Sequence, residues 1–479
     1  MVRIFFVLLI FLNTTSFAGI RDTTVIKISD KNPNYVDKID SALKISGSNS
    51  LKLIFYGTFR LSKELQTYRD NTVFSFGKGT KLIFTTSETS GIIIRHNKCS
   101  VIGALIEGNG ISSKNFYAGF GILLSGVKKC AIKNNNFTNI SGVNILIMPN
   151  SSNVGCSNNQ IANNRIINPV MDLGLDGDES GILLGYAGYG YKHQNNIISN
   201  NFIDGNSKLK IGIGIISHGD NNIIKGNLIE NCRHYGILAY ESKDVDSSLV
   251  RTNISYNIIR NIGESGNKLT MKGMGIYLMK AIRSTVSNNK VYNTLINSDR
   301  SETLGAGAIS ISISPETQVI NNIVDGSHMY GITTDYSFNS VFTGNIIRNT
   351  KKSGMYFLNI SNVIVERNKF ENIGAVVLKG YFENTSLRYI KDQMRTDKYL
   401  NRSTGSDFKI INNIFYTDKE ILFFTGTEGV EKNGYLGNRI EKNLVSNNKI
   451  LRSRKSLSEL FAFRIVGEKK NIIKNNKIM

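Results

Sequence analysis

One short pattern recurs along most of this chain, and it leaves few ways to fold it. The segments Cys130–Phe137, Asn159–Ile166 and Asn222–Ile229 share the order apolar, two variable, Asn, one variable, apolar. The same Asn position recurs at Asn135, Asn164, Asn201, Asn227, Asn257, Asn289, Asn322, Asn345, Asn368, Asn413, Asn448 and Asn476. The shortest spacing is 23 residues, seen twice, and the longer spacings fit insertions. A fixed core period interrupted by insertions marks a solenoid, in which each repeat buries its apolar face only against its neighbours.

A second marker, Gly before an apolar residue, precedes most of these positions, at Gly121, Gly142, Gly181, Gly214, Gly236, Gly275, Gly331 and Gly354. Each turn therefore reads as short strand, bend, short strand, Asn turn. Alternation such as Ile-Ser-Ile-Ser-Ile-Ser over 309–314 gives each strand an inward and an outward face. Gly is abundant at 44, Pro scarce at 4, and 41% of residues are apolar, which suits tight turns around a continuous core. In parallel rungs about 4.8 Å apart, equivalent side chains stack. Stacked Asn amides can donate to and accept from one another, and Asn tolerates the left-handed backbone of a sharp bend. The Asn column is read as structural.

These repeats resemble the pectate-lyase-like superfamily of single-stranded right-handed parallel β-helices. Asp37–Leu43 reads as a capping helix, and Leu51–Leu61 and Asn71–Ile83 look like that superfamily's first strands. The resemblance implies an all-β solenoid with an N-terminal capping helix. It leaves activity open, since the fold carries lyases, hydrolases, epimerases and adhesins. The Asp-Asp and Gly-His-Gly signatures of related polygalacturonases are absent, as is the Asn-Lys-Ser motif of related alginate lyases.

Residues 1–18 begin with one basic residue and an unbroken apolar run, followed by Ser16-Phe17-Ala18. This reads as a signal peptide cleaved near Ala18, giving a secreted or periplasmic protein with no membrane span. Residues 19–75 are expected to form the N-terminal cap and first strands. Residues 76–479 are expected to form the solenoid, with a polar excursion near 381–406. The net charge of +21 favours an anionic partner. Export favours an acidic polysaccharide over nucleic acid, with binding that weakens as salt rises.

Long connections at 165–180, 258–274 and 290–306, with others at 145–158, 183–196 and 238–252, suggest walls around a groove. Comparison of successive rungs places Tyr186, His218 with Asp220, Tyr240 with Glu241, Lys280, and Asp335 with Tyr336 near one outward column. His218, Tyr240 and Lys280 are the expected catalytic group: a base, a phenol and a cation on consecutive rungs. As outward residues they are expected to tolerate Ala substitution without loss of stability. A second column holds Asp178 and Glu179, Arg233 and His234, Lys272, His328, and Lys351 with Lys352. Within it His234 is a further base candidate, and Arg233 and Lys272 could clamp carboxylates. Asp220, Glu241, Asp335 and Tyr336 complete the expected substrate contacts. Asp176-Gly-Asp-Glu-Ser-Gly181 begins like a calcium loop, but Ala187 stands where a bidentate acid is required. Asp172, Asp176, Asp178 and Glu179 read either as a calcium site or as part of a substrate wall; no cofactor is otherwise implied.

The cysteines are Cys99, Cys130, Cys156 and Cys232, without the C-x-x-C spacing of a zinc site. Cys99 and Cys130 fall at equivalent places in successive repeats, so they are expected to touch across adjacent rungs, oxidised or not. The functional reading is β-elimination or epimerisation of an acidic extracellular polysaccharide, in which a base removes the proton α to a carboxylate neutralised by a cation. The alternatives are a glycoside hydrolase, with Asp220 and Glu241 as its acid pair, and a non-catalytic carbohydrate-binding or surface protein.

Overall fold

The computed structural model describes residues 23–45, 49–86, 91–110, 119–167, 180–185, 193–206, 211–240, 251–263, 273–295, 306–382, 385–386, 404–426, 435–436, 442–451, 463–466 and 470–479. The segment read as a signal peptide lies outside them. Successive turns of chain visit three parallel sheets in fixed order. Sheet A runs from Thr23–Ser29 to Ile472–Lys474, sheet B from Thr58–Leu61 to Lys477–Ile478, and sheet C from Leu65–Gln66 to Phe463–Ile465. Neighbouring strands pair in register, as in Ile132 with Ile161 on sheet A and Phe137 with Ile166 on sheet B. Inward positions therefore stack into one core that extends through all three sheets, with residues such as Ile132, Ile161, Phe137, Ile166, Ile145 and Ile182 fully buried. The helix Tyr35–Lys44 turns Ile39, Ala42 and Leu43 onto the N-terminal end of that core. This is the expected β-helix with its capping helix. Among the described residues no helix is long and apolar enough to cross a membrane.

The Asn repeat forms the turn between sheets A and B. Asn135 Nδ2 donates to Asn164 Oδ1 at 3.0 Å and to the Val101 carbonyl at 3.1 Å. Amide-to-amide bonds of 2.9–3.1 Å then run without a break through every ladder position to Asn476. The left-handed bend does not fall on these residues. It falls one position earlier, at Asn134, Asn163, Asn200, Tyr256, Asn288, Asn321, Arg367, Asn412, Asn447 and Asn475, with φ between 54° and 58°. The work is divided. One residue supplies the strained corner, and the next turns its amide inward to satisfy backbone groups that the bend removes from the sheets.

A second ladder, not legible as a repeat in the sequence, runs where sheet C turns into sheet A. Asn159 donates to Asn196 at 3.0 Å and Asn196 to Asn222 at 3.1 Å. The register carries the same column through Thr252, Ser284, Thr317 and Ser340, and Asn443 bonds Asn471 at 3.0 Å near the C-terminal end. Small hydroxyls take over the role in the middle: the Ser284 hydroxyl accepts from the Thr252 N–H at 3.0 Å. Because the residue type changes along the column, no single letter marks it.

The glycine marker has a steric cause. On sheet C, Gly181, Gly214, Gly236 and Gly275 stack, with Gly331 and Gly354 further along the same column. A Cβ on Gly214 would lie 2.5 Å from Ile229 Cγ2 and 2.6 Å from the Gly236 carbonyl oxygen, and one on Gly331 would lie 2.4 Å from Ile347 Cγ2. The strand here bends so that the position faces the apolar core residue of sheet B, which leaves room for a hydrogen only. Gly142 does not belong to this column. Ile122 pairs with Ile145 and Ile145 with Ile182, which puts Asn144 in the glycine place. Asn144 is fully buried, and neither atom of its amide has a hydrogen-bond partner.

The connections are unequal. Sheet A passes to sheet B through two residues, as between Lys133 and Asn136 or Ala162 and Arg165. Connections to and from sheet C are far longer on several rungs, such as 168–179 and 241–251. After the sheet C strand Leu378–Phe382, Thr385–Ser386 pairs antiparallel with Tyr435–Leu436; residues 387–403, within the excursion expected near 381–406, lie outside the described residues.

The ladder and the glycine column set the expected stability of three variants. Asn289→Ala removes an amide bonded on both sides of its rung and leaves buried groups unpaired, so stability should fall by about 1–3 kcal/mol. Asn253→Ala, on the exposed face of sheet A, should change it by less than about 0.5 kcal/mol. Asn144→Gly should stabilise the chain by about 1 kcal/mol, the removed cost of an unpaired buried amide exceeding the loss in backbone entropy. Denaturant titration of the variants beside the parent measures each effect.

Candidate functional site

The outward face of sheet C carries most of the residues singled out from the sequence. Its last outward column begins one place after the register pair Ser217–Ala239. It reads His218, Tyr240, Met279, Ser312, Asp335, Leu358 on successive rungs. His218, Tyr240 and Asp335 therefore do share a column. Lys280 does not. The rung neighbour of Tyr240 is Met279, and Lys280 lies one residue further on, at a left-handed corner (φ 57°) in line with Ile313, Tyr336 and Asn359. Tyr336 likewise belongs to this corner line, at φ 47°, where its phenolic oxygen accepts from Asn359 Nδ2 at 3.0 Å. Asp220 is displaced toward sheet A. It bridges Gln194, and its carboxylate accepts the Arg251 N–H at 2.9 Å. Glu241, Lys272, Tyr186 and the acids Asp172, Asp176, Asp178 and Glu179 lie outside the described residues. Among the described residues no group of three or more His, Cys, Asp or Glu side chains could hold a metal.

Burial also differs from expectation. His218, His234 and Lys280 are only 6%, 5% and 3% exposed, so these side chains are packed rather than free in solvent. An Ala variant at any of them removes packing as well as chemistry, and the expected indifference of stability is corrected accordingly. The cause lies in the surroundings. The outward face of sheet C is apolar on these rungs, with Leu183, Ile213 and Ile216 buried against Tyr235 and Leu238. Tyr235 and Tyr277 stack at 5.6 Å between centroids, as do Tyr330 and Tyr356 at 4.9 Å. Burial pushes the Tyr235 phenol up to about 12. In the second column, His234 and Arg233 occupy the strand Cys232–Tyr240. His328 sits 3.3 Å from the Lys351 amine, and burial, with that cation second, holds its imidazole below the ordinary histidine range.

The structure adds a residue that sequence reasoning missed. His193, 1% exposed, stands beside His218 at the corner leading from sheet C to sheet A. A Cβ on Gly185 would touch both, 2.9 Å from His193 Cδ2 and 2.9 Å from His218 Cβ. The Cys156 N–H donates to His193 Nδ1 at 3.0 Å. The neutral ring therefore carries its proton on Nε2, a buried donor without a partner. His218 Nδ1 is likewise buried and unpartnered, and its ring meets Tyr240 edge-on at 5.4 Å. Burial is the main cause that lowers His218 to about 4 and His193 to about 3, the latter with help from the His218 charge. Both rings are neutral at physiological pH. The signal that could have found His193 is its place three residues before Asn196, but the second ladder that gives that spacing meaning is visible only in three dimensions.

Asp335 is the other perturbed group. Part of the residue reaches the surface, but its carboxyl is enclosed, and burial pushes it up to about 7 despite the Ser312 hydroxyl, which donates to Oδ2 at 2.7 Å. It stands four rungs from His218, roughly 19 Å at the strand spacing. The two groups cannot reach the same sugar unit.

The right-handed beta helix region family model matches residues 66–272 and 257–388. The chain belongs to this family. No curated protein matches the sequence. Among solved structures, PfbA, a surface adhesin of Streptococcus pneumoniae, superposes with a TM-score of 0.51 at 14% identity, over 74% of this chain and 92% of that one. A double mutant of the periplasmic alginate epimerase AlgG matches with a TM-score of 0.43 at 12% identity, over 95% of this chain and 85% of that one. A GH87 alpha-1,3-glucanase catalytic unit from Streptomyces thermodiastaticus matches at 0.46 and 13% identity, over 74% and 65%. At these identities the likeness is one of fold.

The buried imidazoles set an acid limit on stability. Their folded pKa values lie below the ordinary value of 6.5, so the unfolded chain takes up protons that the folded chain refuses. Their stabilising contribution is complete above about pH 6.5 and is lost as pH falls toward 4 and then 3. The melting temperature should decline through this window. His193→Gln, which keeps polarity and loses the titration, should flatten part of that decline; an unchanged slope in the variant would refute the assignment.

Proposed function

We propose that this β-helix acts on an acidic extracellular polysaccharide along the outward face of sheet C, by β-elimination or by epimerisation at the carbon α to a carboxylate. The observation that carries the reading is the His218–Tyr240 contact on adjacent rungs. An unpartnered imidazole nitrogen and a half-buried phenol meet edge-on there. In elimination, His218 Nδ1 takes the α-proton and Tyr240 gives its proton to the glycosidic oxygen as the bond from that oxygen to the β-carbon breaks; in epimerisation, no bond to the β-carbon breaks and the α-carbon takes a proton back from water on its opposite face. The partnerless Nε2–H of His193 donates to the developing charge, and Arg233, at the far end of the strand Cys232–Tyr240, holds the carboxylate of a more distant sugar unit. A low-polarity pocket weakens His218 as a base in the empty site. An arriving anionic substrate raises its proton affinity again, so base strength is coupled to binding. His234, Lys280 and Lys272 are assigned supporting roles in the positive field, and Asp220, Glu241 and Tyr336 contacts to substrate. The acids at 172–179 are assigned to the groove wall, or to a calcium ion held there.

A second reading rests on Asp335. A carboxyl group that is half protonated near neutrality is what a glycoside hydrolase needs as its acid. Export, with signal cleavage near Ala18, belongs to both readings.

Incubation with a panel of uronate polymers separates them. Unsaturated ends indicate elimination, inverted uronate without cleavage indicates epimerisation, and saturated reducing ends indicate hydrolysis. For the favoured reading, His218→Asn and Tyr240→Phe should each reduce turnover by about 100-fold or more, whereas Asp335→Asn should reduce it little. Raised salt should weaken substrate binding. Full activity in both His218 and Tyr240 variants, or equal affinity for neutral glucans at low salt, would sink the proposal.

A further inference from the structure

The second ladder changes chemistry near its N-terminal end. The register pairs Ser100 with Ala131 and Ala131 with Gln160, so the residue before each strand stacks as Cys99, Cys130, Asn159. Val73 pairs with Ser100, which puts Thr72 on the other side of Cys99. Two thiols thus occupy adjacent rungs of a column that elsewhere ties rungs together through amides and hydroxyls. We infer that Cys99 and Cys130 are an oxidisable pair, and that in an oxidising compartment they close a disulfide that replaces the missing side-chain hydrogen bond at this rung step.

The geometry suits it. Both residues follow a left-handed corner of matching form, at Lys98 (φ 57°) and Lys129 (φ 60°), so their side chains leave the backbone alike. In-register parallel neighbours lie about 4.8 Å apart, inside the range that disulfide-linked Cα atoms occupy. Cys99 and Cys130 are 0% and 2% exposed. The neighbouring Cys130 thiol lowers Cys99, and the neighbouring Cys99 thiol raises Cys130. The remaining contacts are long: Cys99 Sγ to the Asn97 carbonyl at 3.4 Å and Cys130 Sγ to the His96 carbonyl at 3.4 Å. A thiol is a weak donor, so this rung step is held less firmly than the Asn159–Asn196 step. A covalent bond would remove the deficit. The other cysteines lack such a neighbour. Cys156 accepts the Val127 N–H at the corner, and Cys232 opens a strand of sheet C.

The chemistry balances with an external disulfide as oxidant, such as oxidised glutathione or a disulfide-donating oxidoreductase. The Cys99 thiolate attacks one donor sulfur and expels one donor thiolate, leaving a mixed disulfide. The Cys130 thiolate then attacks Cys99 Sγ and expels the second. Two electrons pass to the donor, and the two thiol protons end on its two released thiolates. Because both sulfurs are enclosed in the folded chain, the exchange takes place as these rungs assemble.

Peptide mapping of the full chain tests this. The chain is folded with oxidised glutathione, denatured in iodoacetamide without reductant, and digested with trypsin. The expected product links the peptide 99–114 to the peptide 130–133, while Cys156 and Cys232 carry the alkyl label. The link should vanish after reduction and in Cys99→Ser, where Cys130 becomes labelled. Alkylation of all four cysteines after oxidative folding overturns the inference, and so does a link from Cys130 to Cys156.

Discussion

Everything in this molecule hangs on a requirement of the backbone at its corners. A chain that turns sharply between two sheets on every rung strands N–H and C=O groups away from both ladders, and at an inside corner water cannot reach them. The Asn column answers that requirement with a side chain that carries a donor and an acceptor on one rigid amide. Asn289 shows the full pattern. Its oxygen accepts from the Asn257 backbone and amide, and its nitrogen serves Ile254 and Asn322. Once this corner is fixed, the register of sheets A and B is fixed with it, and the inward Ile, Val and Phe positions stack because they have no alternative alignment.

That constraint also explains where variation is allowed. The A-to-B turn has two residues and an interior amide, so it cannot lengthen without breaking the ladder. The corners at sheet C are held by looser means, a mixed ladder on one side and a glycine column on the other. Long connections accumulate there, and the outward face of sheet C carries buried apolar side chains, stacked tyrosines and the His218–Tyr240 contact. Sheet C owes its candidate role to being the side of the solenoid that the dominant ladder does not police.

The fold could be read from the sequence because its main signal is a single letter at a fixed phase. Asn135, Asn164 and Asn201 announce the turn whatever surrounds them. Finer placement was less accessible. The left-handed corner sits on the residue before the ladder Asn, where Asn, Gly, Tyr and Arg all occur, so no letter identified it. Gly142 looked like a marker, yet Asn144 holds the place, because a one-sequence alignment slides by two without penalty in an alternating strand. The site suffered from the same slip. Lys280 was one residue from the His218–Tyr240 column, and a shift of one turns a side chain to another face. His193 was invisible because its neighbour, His218, is reached only through the winding of the chain. Burial of the candidates could not be foreseen either, since outward on a strand does not mean exposed where large apolar side chains crowd the same face.

The Asn ladder has a direction. From Asn135 to Asn448 every amide-to-amide bond runs from an Nδ2 to the Oδ1 of the next rung toward the C-terminal end. The shorter run from Asn159 to Asn222 points the same way. Aligned amide dipoles add, as they do along an α-helix. The stack is therefore a polarised wire laid through the protein interior, with its positive pole at the rung of Asn476, flanked by Lys474 and Lys477. The solenoid has two electrically distinct ends before any surface charge is counted.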